Sequence, residues 1–183
     1  IRTLDRDPSI VLAYTRALTI DSQGNRLREW GAPQELGSSK PALRFGAGLL
    51  PSKDPIPLPI FGVMRSAALR KTPLQAGFAG CDLALLSEFS LHGRFHEISE
   101  ALFLQREHGE RAGHQLSRDP HMASSFWMAE QANNLELPSW RNVSALRHAV
   151  SKSPLGICDR LRCHREILVW MNRQRNDLLS DLI

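Results

Sequence analysis

Three residues with chemical uses lie between Phe61 and His108. Asp82 stands at the mouth of a Leu-rich stretch, GCDLALLSEFSLHGRF, and the strand-like EISEALFLQREH that follows ends in Arg106-Glu107-His108. A carboxylate at a helix start can take a proton, while a cation and an imidazole at a strand end can face a phosphate or a metal ion. Such a set suits chemistry on a phosphorylated substrate. Each member also has a plainer reading. Asp is a favoured helix N-cap, worth about 1 kcal/mol. Arg106 can be solvated, and His108 can merely end its strand.

Local patterns indicate which elements would position these groups. Residues 83–92 read as a short helix with Leu85, Leu86 and Phe89 on its inner side and Gly93 just past its end. In the strand after it, Leu102, Leu104, Arg106 and His108 share one face at period two, and Phe103, Gln105 and Glu107 take the other. The leucine face is expected to turn inward and carry Arg106 and His108 to the strand's exit. Upstream, IRTLDRDP reads as a helix end stopped by Pro8. SIVLAYTRALTI then reads as a buried strand, and DSQGNRL as a turn. Residues 30–40 read as a polar loop, ALRFGAGLL as a short helix and KDPIPLPIFG as an extended, proline-rich segment. Past Gly109 a polar stretch leads to a helical pattern, DPHMASSFWMAEQANN, broken by Pro138.

The last 45 residues are helical in pattern and interrupted near Pro154-Leu155-Gly156. Ile157, Leu161, His164, Leu168, Met171, Arg175, Leu178 and Leu182 recur at steps of four and three, forming a seam. A helix packed on its own domain is the first expectation for such a seam; a partner helix and a membrane surface are the others.

The order of these segments resembles the C-terminal half of family 2 glycosyltransferases, inverting enzymes of GT-A fold. GCDLALLSEFSLHGRF is similar to the family's base helix, with Asp82 as the group that deprotonates the acceptor hydroxyl. A second acid often precedes that base, whereas this chain has Cys81. Arg106-Glu107-His108 resembles the family's Arg-x-His element, which implies that His108 approaches the metal or diphosphate and Arg106 adds positive charge. Phe61-Gly62-Val63-Met64-Arg65-Ser66 resembles the segment leading to the acceptor, so Gly62 and Arg65 are expected to contact substrate. An ordinary turn at Gly62 and a surface Arg65 are the alternatives.

The resemblance implies an α/β chain, with residues 1–115 as the C-terminal half of a GT-A domain and 116–183 as a helical extension. It implies a divalent cation (Mg or Mn), a nucleotide-sugar donor, and a glycan or other hydroxyl acceptor. Asp5-Arg6-Asp7 matches the Asp-x-Asp metal motif literally, but it sits at a helix end before Pro8. LDRDPSIVLAYTRALTIDSQGNRL resembles the segment after the true motif, so the donor-gripping half is expected to precede Ile1. The rival reading is a non-catalytic binding or assembly module, in which Asp82 only caps its helix and the basic tail docks a partner.

Composition narrows the classes. The chain has 183 residues, 42% hydrophobic and 23% charged, as in ordinary globular proteins. No run approaches the ~18 apolar residues of a spanning helix, and the first residues lack the pattern of a targeting peptide. The net charge of +4 lies wholly in residues 139–183, with eight Lys+Arg against four Asp+Glu. Nucleic acid is not expected on so small an imbalance. A cytoplasmic protein, with peripheral membrane contact through the basic tail, fits the charge and the three unpatterned cysteines. Cys158 and Cys163 lie about 140° apart on a helix and do not converge on a metal. His92 and His96 flank Gly93 and share no helix face. No glycine-rich phosphate loop is present.

Overall fold

A computed structural model describes residues 1–49, 58–74, 77–78, 80–107 and 137–182. These form an α/β arrangement in which a mixed sheet packs against helices. The centre is β1 (Ile10–Ile20), whose residues are buried on both faces except for Thr15 and Arg16. Its nearly continuous apolar run is what a strand covered on both sides requires. β4 (Arg94–Arg106) pairs with it in parallel along its whole length. That leaves the other edge to two shorter antiparallel partners: β2 (Arg26–Trp30) beside the second half and β3 (Val63–Met64) beside the first.

The hairpin from β1 to β2 turns on Asp21, whose carboxylate accepts from the Gln23 and Asn25 N–H groups at 2.9 and 2.8 Å. The expected loop at 30–40 is more ordered than its composition suggests. Trp30 is buried and donates to Thr19 Oγ1, and a 3₁₀ turn at Gln34–Gly37 buries Leu36. Two anchoring apolar side chains outweigh a polar, Gly/Pro-rich composition. α1 (Arg2–Arg6) and α2 (Pro41–Leu49) fall where their patterns place them. Leu58–Phe61 is a 3₁₀ turn rather than extended chain, and residues 50–57 lie outside the described set. α3 (Ser66–Leu69) is a single turn.

α4 (Cys81–His92) leads through Gly93 directly into β4. Leu86 and Phe89 of α4 meet Val11, Leu12, Tyr14 and Ala17 of β1, together with Phe95, in the main core. A second core joins α2 and Leu91 to α5 (Pro138–Lys152), α6 (Ile157–Arg173) and α7 (Arg175–Ser180) through Phe45, Leu146, Val150, Ile167 and Trp170. Arg44, 4% exposed, ties α2 to α4 by donating from Nε to the Ser90 carbonyl at 2.8 Å. No described helix is long and apolar enough to cross a membrane.

The facing of β4 corrects the sequence reading. Leu102 and Leu104 are 71% and 59% exposed, whereas Phe103 packs against the core and stacks on Phe61 at 4.5 Å between ring centroids. The alternation itself holds, but its phase is opposite. The strand begins three residues earlier than its pattern suggested, at Arg94, and its register against β1 shifts between Ile98 and Phe103. Beyond those shifts Ala101, Phe103 and Gln105 are partly buried, while Leu102, Leu104 and Arg106 face outward.

Candidate functional site

Asp82 is the second residue of α4, not its N-cap. The N-cap is Gly80, with φ +86° and no side-chain capping bond. A side chain there would be strained and would meet the Asn142 amide of α5 at 2.9 Å. The Gly80 turn thus starts the helix two residues early and puts Asp82 in its first turn, where a negative charge suits the helix dipole. Oδ1 of Asp82 accepts from the Leu83 N–H at 2.8 Å. Among the described residues no other protein donor reaches the carboxylate, which is partly exposed.

Beside it, a cavity of about 300 Å³ opens between α4, α5 and the segment before α4. Phe78, Cys81, Leu85 and Glu88 line one side, and Arg141 and His148 of α5 the other. The guanidinium carbon of Arg141 lies 5.3 Å from the centre of the Phe78 ring, a cation–π arrangement. Asp82 follows Cys81 and projects about 100° further round the helix. Burial pushes the Glu88 carboxyl up to about 7, and no described donor satisfies it. Its helical neighbour His92 is shifted the other way, chiefly by burial and then by Lys71, and its buried Nδ1 has no hydrogen-bond partner among the described residues.

Sequence reasoning passed over Glu88. The available signal was its position: Cys81, Ala84, Leu85 and Glu88 follow one helix face at steps of three and four, a carboxyl at the end of an otherwise apolar row.

The structure gives the other expected site residues local partners. A Cβ on Gly62 would lie 2.6 Å from the Ala13 carbonyl oxygen, so the close approach there is to β1. Arg65 donates its backbone N–H to the Val11 carbonyl at 2.7 Å and, from Nη2, to the Leu4 and Ile10 carbonyls at 2.6 and 3.2 Å. Arg106, at the outward end of β4, donates from Nη1 to the Asp21 and Ser22 carbonyls, both at 2.9 Å. Asp7 is held by the Ser9 hydroxyl and by Arg94 at 2.6 Å. Cys81 and Cys163 are buried, Cys158 is exposed, and burial raises the Cys163 thiol to about 11.

His108, His114 and His121 lie outside the described residues, as does the helical pattern DPHMASSFWMAEQANN. Among the described residues no three His, Cys, Asp or Glu side chains converge as metal ligands. The described donors therefore do not by themselves make a site for Mg or Mn. Comparison with known proteins returns no matching family model, no matching curated protein and no matching solved structure.

Proposed function

We propose that the chain is the acceptor-side, C-terminal portion of an inverting family 2 glycosyltransferase of GT-A fold, with Asp82 as its general base. The observation that supports this most is the state of the Asp82 carboxylate. It stands in the first turn of α4, partly exposed, with a single backbone N–H bound to Oδ1. An oxygen left without a protein donor can accept the proton of an incoming hydroxyl as that hydroxyl attacks the anomeric carbon of a nucleotide-sugar. The nucleoside diphosphate leaves from the opposite face, which inverts the anomeric centre. The growing charge on the leaving group needs cations. Arg106 would serve there only by releasing the turn carbonyls it now binds. A divalent cation belongs to the same proposal and would offset the charge of the departing diphosphate.

The test uses the full-length enzyme with its preceding segment restored. Turnover of nucleotide-sugar into a glycosidic product should depend on Asp82 and be lost in Asp82→Asn. Undiminished turnover in that variant would remove Asp82 as the base. Residues 1–183 alone are expected to be inactive.

A second reading, the binding or assembly module, is favoured by an exposed apolar row on α6. A start codon immediately before Ile1, with no upstream domain, would favour that reading over the enzyme.

A further inference from the structure

The seam expected to pack the last helices onto their own domain does so only at its end, where Met171 and Leu178 join the second core. α6 buries Cys163, Ile167 and Trp170 instead, at 0%, 2% and 5% exposure. Ile157, Leu161 and Leu168 stay 74%, 63% and 65% exposed. At 100° per residue these three fall within about 40° of one another, on one outward row roughly 16 Å long. Large apolar residues left in one row, rather than scattered singly, mark an interaction surface.

The charges around the row indicate what meets it. Arg165 borders it about 60° from its middle and Arg160 flanks it on the other side, while Arg162 and Arg173 lie well over 100° away. The helix's two acids, Asp159 and Glu166, sit toward the inner side and are only partly exposed. Asp159 pairs with Arg162 at 3.1 Å, while Arg165 and Arg173 make no ion pair among the described residues. The sector of α6 within about 80° of the row thus carries Arg165 on one flank, Arg160 on the other, and no acid. A second copy or a partner helix would need acids to match; a negatively charged lipid surface matches both halves of the pattern.

We propose that this face of α6 lies in the interface of an anionic membrane, with Ile157, Leu161 and Leu168 inserted and Arg165 at the headgroups. The proposal is independent of the glycosyltransferase reading, since it uses no residue of the candidate site. Lying on a membrane is distinct from spanning it.

The test is co-sedimentation of residues 1–183 with 100 nm vesicles, comparing phosphatidylcholine alone with a 3:1 mixture of phosphatidylcholine and phosphatidylglycerol. Binding to the mixed vesicles is expected, weakening as salt rises. Leu161→Gln with Leu168→Gln should reduce partitioning by about tenfold or more, and Arg165→Gln by about fivefold. All three positions are exposed, so thermal melts of the variants should match wild type. No binding to the mixed vesicles, or equal binding by the leucine double variant, would overturn the proposal. So would a concentration-dependent dimer in light scattering that the leucine variant abolishes while vesicle binding is absent.

Discussion

Nη2 of Arg65 donates to the carbonyl of Leu4 at 2.6 Å, across 61 residues of sequence. The same nitrogen reaches the Ile10 carbonyl at 3.2 Å, and the Arg65 backbone N–H meets Val11. One side chain therefore fastens α1 to the start of β1, beside the small core of Leu4, Ile10 and Ala13. Hydrogen bonds from a charged donor are worth about 1.5–3 kcal/mol each, and their carbonyls are costly to leave unpaired. Arg65→Ala should destabilise the chain by roughly 2–4 kcal/mol on that basis, measured as a shift of the urea midpoint. Arg65→Lys should recover only part, since one ammonium does not reproduce the guanidinium fork. A stability change below about 0.5 kcal/mol, the range of ordinary surface substitutions, would free Arg65 for the substrate role that its motif suggested.

The phase of β4 gives a direct comparison of neighbours. Phe103 stacks on Phe61 and joins the main core, while Leu102 is 71% exposed. Phe103→Ala should cost about 2–3 kcal/mol, below the range for a fully buried Phe because Phe103 is only partly buried. Leu102→Ala should stay within about 0.5 kcal/mol. Equal losses at the two positions, in parallel denaturant melts, would mean that the leucine face is covered after all.

What was legible in the sequence follows from how each signal arises. β1 declared itself because a strand covered on both faces is a continuous apolar run, and α2 and α4 because their lengths and bounding residues are local. The facing of β4 was not legible, since LFL offers an apolar residue to either side; the register shifts against β1 and the stacking of Phe103 on Phe61 decide it. Most of the α6 seam was misplaced for a similar reason, although Met171 does reach the core. Its buried side includes Cys163 and Trp170, residues that a leucine-weighted pattern discounts, and α2 across the core chooses that side. At the site, Asp82 was legible as the acid opening a helix. Gly80's left-handed turn, which moves it from cap to first turn, lies against the Asn142 amide of α5, a neighbour that only the tertiary structure supplies.

Glu88 supplies a pH signature. Burial raises its carboxyl from 4.5 to about 7, so between those values the folded chain holds a proton that the unfolded chain has released. The linkage slope is then negative: Glu88's contribution makes folding less favourable as pH rises from about 4.5 to about 7, and constant above. With Glu88 about half buried, solvent screening reduces the effect to the order of 1–2 kcal/mol. His92, whose imidazole is lowered, slopes the other way, so the informative quantity is the difference between wild type and Glu88→Gln. That variant should match wild type near pH 4 and exceed it by pH 8, in chemical denaturation at each pH. A difference independent of pH would show that Glu88 ionises normally.

Asp82→Asn separates chemistry from helix stability at the proposed base. Asn keeps an oxygen for the Leu83 N–H, now 2.8 Å from Oδ1, and it keeps the side-chain shape. It loses the negative charge in the first turn of α4, worth about 0.3–1 kcal/mol at an exposed site. Because Gly80 rather than Asp82 occupies the cap, no larger capping loss is expected. In the restored full-length enzyme, turnover should fall by roughly 10²–10⁴-fold, the usual effect of removing a general base. Donor binding should change little, because the base acts on the acceptor's proton. The decisive comparison is kcat against the melting temperature in one preparation. A large fall in kcat with a melt shifted by only a few degrees identifies the base. An unchanged kcat with the same small shift would leave Asp82 as a helix-stabilising charge and return the chain to the assembly reading.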